Sequence, residues 1–262
     1  MTGAAIPILM YHEVSPRPHP AFGRYTVTAG EFARQMRWLA ALGYRAIDMD
    51  ALVRARTGQG GLPRRPVVIT FDDGFQGSAD HAVPVLRAYG FTAVFYLVAG
   101  LMGETSRWMA RDPGVELPLM SWDRARALAA EGFQCGAHSL THPRLAGLPP
   151  GQCRAELVDG RKRLEDQLGR PVAHLAYPFG SYDRTVQAAA AEAGYSTACS
   201  TRPGLSGSDD DLLALHRVSV YGHDSLADFV SRVRSGAAVR ERLGRVVEAL
   251  ARPFRRHGSP RA

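Results

Sequence analysis

The sequence predicts an α/β fold organised on a parallel sheet, either closed into a barrel or open and doubly wound. Three observations lead there. Short apolar, β-branched runs alternate about seven times with helical patterns across short connections, as repeated strand–helix units require. Several of these runs stop abruptly at polar residues, the pattern of strands buried on both faces that carry chemistry just past their C-terminal ends. The chain has 262 residues and 45% hydrophobic content, enough for one large core. Spacing alone does not separate the barrel from the open sheet.

Taken in order, residues 6–11 form the first strand, and 15–22 a loop rich in proline and histidine. Thr28 with Glu31 three residues on makes a capping box, and Phe32, Met36 and Leu39 give a helical stripe that ends at Gly43. Residues 44–47 read as a short strand, 51–56 as a helical turn and 58–66 as a Gly/Pro-rich loop. The run Val67-Val68-Ile69-Thr70-Phe71 is a buried strand, and Asp72-Asp73-Gly74 follows at once. A helix over 78–89 carries Pro84 and stops at Gly90, and 91–98 is a strand by its β-branched and aromatic content. The stretch 99–118 lacks periodicity, and loops of that length are commonly functional. Ser121 caps a helix that runs to Ala130, and residues 133–137 form a strand leading to His138. Beyond it come a helix over 149–168, a strand over 172–176, a helix over 184–193 and a strand over 195–199. A last strand over 213–220 and two helices, near 224 and over 237–254, close the chain.

Composition removes several classes. Cys135, Cys153 and Cys199 are an odd, widely spaced set that implies neither a disulfide framework nor a cysteine zinc site. The N-terminus lacks a basic leader, and no stretch approaches the ~20 apolar residues of a membrane span. A cytoplasmic location is the expectation, with a misassigned start codon as the way it would fail. Nine arginines against two glutamates from Arg232 onward account for the whole net charge of +7. The body is therefore neutral and the tail basic.

Three strand ends carry the polar residues. Asp72-Asp73 lies at the first. His138-Ser139-Leu140-Thr141-His142-Pro143 lies at the second, with Pro143 restricting helix beyond the pair, and Tyr177-Pro178-Phe179-Gly180 forms a turn at the third. Alone, two histidines four apart are unspecific, and two aspartates after a strand also suit a helix cap or a magnesium or phosphate site. Together at ends that face one rim they make a set of two imidazoles and one carboxylate. That set suits zinc or another borderline divalent ion and leaves one aspartate free as a general base.

These motifs resemble the polysaccharide deacetylases of the NodB-homology class, carbohydrate esterase family four. Thr70-Phe71-Asp72-Asp73-Gly74 stands for its first motif and His138-Ser139-Leu140-Thr141-His142 for its second. Met10-Tyr11-His12, residues 35–39, Ser121-Trp122, Gly136-Ala137-His138 and the Tyr-Pro-Phe-Gly third motif resemble one subgroup, over about residues 6–221. The resemblance implies a distorted (β/α)7 barrel, assigned to 1–235; helical spacing of apolar residues and clustered arginines make 236–262 a basic amphipathic helix and tail. The resemblance also implies metal-dependent hydrolysis of an N-acetyl group on an N-acetylglucosamine-type glycan, with Zn2+ as the ion and Co2+ or Ni2+ as alternatives. By the same resemblance Asp73, His138 and His142 bind the metal, and Asp72 is the general base. The Phe179 N–H helps to hold the oxyanion, and Tyr177, Pro178 and Gly180 line the groove.

Two positions depart from the family pattern. Ala176 stands where the family has an arginine that holds the base, so Asp72 needs another support. The histidine acid has only an approximate match in His216, with His12 as a second candidate. Trp122 reads as helix packing in preference to a groove wall. Two other readings are a deformylase or other amidohydrolase on a different amide, and a non-catalytic carbohydrate-binding barrel; the intact Asp72 weighs against the latter. The basic helix packs outside the barrel, and a sharper reading has residues 252–261 hold the protein near anionic membrane lipid or an acidic polymer. Nucleic acid is disfavoured because stacking aromatics are not interleaved with the basic residues.

Overall fold

The computed structural model describes residues 5–239 and 241. Its strands are β1 (Ile8–Tyr11), β2 (Glu13–Ser15), β3 (Thr26–Thr28), β4 (Arg45–Ala46), β5 (Pro66–Phe71), β6 (Val94–Leu97), β7 (Gln134–Ala137), β8 (His174–Ala176), β9 (Thr197–Pro203) and β10 (Leu215–Ser219). Its helices are α1 (Ala29–Ala41), α2 (Met49–Arg56), α3 (Val83–Ala88), α4 (Trp122–Ala130), α5 (Pro150–Leu168), α6 (Arg184–Glu192) and α7 (Leu226–Ser235). Strands β1, β5, β6, β7, β8, β9 and β10 pair in that order, all parallel, and β10 returns to β1. The sheet is therefore a closed seven-stranded (β/α)7 barrel, with β4 attached outside β5.

Side-chain alternation sorts each strand between the two sides of the barrel wall. Ile8, Val68, Val94, Tyr96, Ala176, Cys199 and Leu215 fill the interior. Leu9, Ile69, Phe71, Phe95, Leu97, Leu175 and Val218 face the surrounding helices. Gly136 has no side chain because the Tyr96 ring occupies its place, 2.5 Å from where a Cβ would stand.

Elements differ from the sequence reading mainly at their ends. The helix over 78–89 opens as a π turn, Ser78–Ala82, before α3. Pro84 lacks the N–H that an α-turn needs, and a wider turn accommodates its ring. Thr28 does cap α1, accepting from the Glu31 N–H at 3.2 Å, but Glu31 pairs with Arg34 rather than closing the box. β2 and β3 form a small parallel sheet of their own that the sequence did not suggest. The aperiodic stretch 99–118 is tied down: the Ser106 N–H donates to the Leu117 carbonyl, the Leu117 N–H donates to Ser106 Oγ, and Phe22, Phe75, Met109, Val115 and Leu119 form a small apolar cluster beneath it. The helix over 237–254 and the basic tail lie almost wholly outside the described residues. Among the described residues no helix is long and apolar enough to cross a membrane.

Candidate active site

The β5 run places Val68 and Thr70 inside the barrel, and the same alternation carries Asp72 inward at the rim. The Asp72 N–H donates to the Tyr11 carbonyl at 2.9 Å, which extends the β1–β5 ladder by one residue. Asp73 and Gly74 then turn through left-handed backbone (φ 73° and 72°), so that a second carboxylate faces the same cavity. A non-glycine residue held there is strained, and such strain is found where geometry serves a site.

Asp72 is anchored by Arg217 of β10. Its two oxygens accept from the Arg217 guanidinium at 2.7 Å each, and both side chains are buried. Arg217 also donates to the Ser200 carbonyl at 2.8 Å and to Thr70 Oγ1 at 3.3 Å. Burial is the largest single influence and pushes the Asp72 carboxyl up, but the charge and hydrogen bonds of Arg217, together with His138 and His12, outweigh it and hold the group below its ordinary range. Asp72 is thus ionised at neutral pH. The support that the sequence lacks at Ala176 arrives from a different strand.

Asp73 meets both histidines. Its Oδ1 lies 3.2 Å from His138 Nε2 and 3.1 Å from His142 Nε2, and the three ligand atoms fall within 4.8 Å of one another. Donors bonded at about 2.0–2.1 Å around a tetrahedral ion stand about 3.3 Å apart, so these spacings fit a divalent cation. The donor set fits as well. His138 Nδ1 lies 2.7 Å from the Ala176 carbonyl, and donation to it leaves Nε2 with a free lone pair, the usual arrangement of a metal-binding imidazole.

The loop between the histidines is shaped from outside. Ser139 and His142 are left-handed (φ 60° and 67°), and Ser139 Oγ accepts the His142 N–H at 2.9 Å. Glu156 of α5 accepts the N–H groups of Leu140 and Thr141 at 2.9 and 2.8 Å. Gly160, one turn further, lets α5 approach: a Cβ there would lie 2.9 Å from the Leu140 nitrogen.

A cavity of about 620 Å³ opens over this centre. Trp108, His142, Arg144 and Phe179 line one side, and His12, Phe22, Tyr25 and Tyr221 also line it. Phe179 has φ 57° and is 45% exposed, so it projects into the mouth. Tyr177 lines the cavity with its hydroxyl donating to the Leu213 carbonyl at 2.9 Å. Pro178 is buried and Gly180 packs on Thr201; they shape the turn and are not among the lining residues.

The two candidate acids separate. His12 lines the cavity, where burial lowers its pKa and the charges of Asp73 and Asp72 act in the opposite direction. His216 is on the face of β10 opposite Arg217, with Nδ1 2.9 Å from Asp210 Oδ2, and does not line the cavity. Trp122 packs against the core. Arg217, Trp108 and Glu156 were missed from sequence. Arg217 alone carried a signal, as the one charged residue on the inward parity of its strand.

A model of the family described as polysaccharide deacetylase matches residues 59–198. A Bacillus subtilis (strain 168) relative, described as the polysaccharide deacetylase YxkH, is 29% identical over 217 residues, which cover 83% of this chain and 72% of that protein. The poly-β-1,6-N-acetyl-D-glucosamine N-deacetylase of Staphylococcus epidermidis is 34% identical over 82 residues, 31% of this chain and 28% of that protein. The solved structure of the Streptococcus pyogenes deacetylase PplD in complex with acetate matches with a TM-score of 0.77 at 23% identity, covering 88% of this chain and 99% of that one. That last likeness is one of fold.

Proposed function

The chain belongs to the polysaccharide deacetylase family, and from that premise we propose that it is a metal-dependent carbohydrate N-deacetylase that releases acetate from N-acetylglucosamine-type glycans. The observation that carries this is the division of labour between two adjacent carboxylates. Asp73 is shared by two imidazoles, while Asp72 is held ionised and free of them by Arg217.

Asp73, His138 and His142 would hold the divalent ion, with zinc best suited to two imidazoles and a carboxylate. When bound, that ion supplies Lewis acidity, which polarises the amide carbonyl and acidifies a water beside it. Asp72 is the base that accepts a proton from the attacking water. Its bidentate pairing with Arg217 fixes the carboxylate's orientation and keeps it ionised. The backbone N–H of Phe179 donates to the oxygen that gains charge as the carbonyl carbon becomes tetrahedral. His12, the uncommitted imidazole of the cavity, gives a proton to the departing amine nitrogen. Tyr177 and Phe179 border the sugar on one side, and Tyr25 and Tyr221 complete the walls.

The case for a non-catalytic barrel rested on a lost acid and a lost base support. The Arg217 pair at Asp72 and the His12 imidazole in the cavity support the catalytic reading over it. The test is acetate release from β-1,6- and β-1,4-linked N-acetylglucosamine oligomers by chelated protein, before and after addition of Zn2+ or Co2+. We expect release from at least one linkage only after metal is restored. Release that continues undiminished in chelator, or none from any N-acetylated glycan, overturns the reading.

A further inference from the structure

His138 and His142 approach the same carboxylate oxygen but are held in different ways. His138 is oriented by its bond to the Ala176 carbonyl. The Nδ1 atom of His142 is buried, and no group among the described residues hydrogen-bonds it. Its ring lies instead in a column of flat side chains. Trp108 stacks on it with centroids 4.3 Å apart and planes 26° apart, and Phe179 meets it edge-on at 4.6 Å. The Arg144 guanidinium lies over the Phe179 ring, 4.4 Å from its centroid.

We propose that Trp108 is a positioning residue for His142, fixing the imidazole plane so that Nε2 faces the divalent ion; this rests on the ligand assignment above. An imidazole with no bond at its second nitrogen is free to turn about the Cβ–Cγ bond. Near-parallel stacking at 4.3 Å removes that freedom, because turning the ring would drive its edge into the indole. The indole is itself fixed. It sits on the short 3-10 turn Arg107–Met109, packed against the Phe22–Phe75–Met109 cluster and anchored by the bonds between Ser106 and Leu117. The aperiodic stretch thus supplies to the second histidine what the Ala176 carbonyl supplies to the first.

The test is zinc affinity of the chelated protein, measured by competition with a chromophoric chelator. Wild type should bind one equivalent. Trp108→Leu should bind at least about tenfold more weakly, the scale seen when a ligand's supporting contact is lost, and Trp108→Phe should recover part of the loss. Trp108→Met, which fills the space without a ring, replaces the leucine variant if the latter fails to fold. Cobalt absorption gives a second readout, since a loosened His142 should shift the visible bands in the leucine or methionine variant and much less in Trp108→Phe. Wild-type affinity and an unchanged cobalt spectrum without the ring would overturn the proposal while leaving the ligand assignment intact. Absence of zinc binding by the wild type would overturn the assignment itself.

Discussion

Asp72 and Arg217 meet through two 2.7 Å bonds with both side chains buried, the carboxylate just reaching the cavity, and that burial decides what removing either partner does. Breaking a buried pair leaves an uncompensated charge, at a cost of about 3–5 kcal/mol. Arg217→Met should lose stability on that scale in urea unfolding, and adding Asp72→Asn should restore much of it by removing the stranded charge. The Asp72 pKa is depressed from its ordinary 3.8, so the pair's contribution is present above that pH and lost as pH falls through the lower folded value. The gap between wild type and Arg217→Met should therefore close on acidification; a gap that widens would refute the account. Asp72 and His138 could be read from sequence because each ends an apolar run, and Asp73 and His142 because of their spacing from those two within motifs that resemble the family's. Arg217 was in view beside His216, but choosing between them required knowing which strand parity faced inward. Trp108 gave no signal, since an aperiodic loop has no face.

The strands do not hold the site unaided; neighbouring elements press on it. Glycines 136 and 160 mark two close approaches, of a tyrosine ring and of α5, which appear in sequence only as breaks in periodicity. β2 makes a third, where the Glu13 carboxylate packs directly over Gly77 and its Oε2 has no hydrogen-bond partner among the described residues. Burial, reinforced by Asp80 and Asp73, pushes Glu13 from 4.5 up to about 8. A raised acid favours the folded state below its unfolded value, and that contribution disappears as pH rises through the folded one. Glu13→Gln should therefore match wild type in melting temperature near pH 4 and exceed it by a margin that grows up to about pH 8 and is level beyond it. A constant difference across that range would place the ionised carboxylate in water instead. Helix and strand types were legible because their periods are long enough to count. The π turn at Ser78–Ala82 and the β2–β3 pair were not, being too short to show a period.

At the scale of the molecule, closure of the sheet is what makes distant residues neighbours. Met10 of β1 pairs with Thr70 of β5 on one side and Ser219 of β10 on the other, so His12, Asp72 and the end of β10 share one rim. Sequence alternation implied a parallel sheet but left closure open, because local spacing does not record whether the last strand returns to the first. The family resemblance supplied that step, and the pairing of β1 with β10 bears it out. The central claim is that one carboxylate at this rim binds the ion while its neighbour removes the proton. Acetate release from an N-acetylglucosamine oligomer, compared between wild type and Asp72→Asn at equal bound zinc, tests it most directly. The account predicts full metal occupancy in the variant with release reduced at least about a hundredfold. Undiminished release at equal occupancy would contradict it.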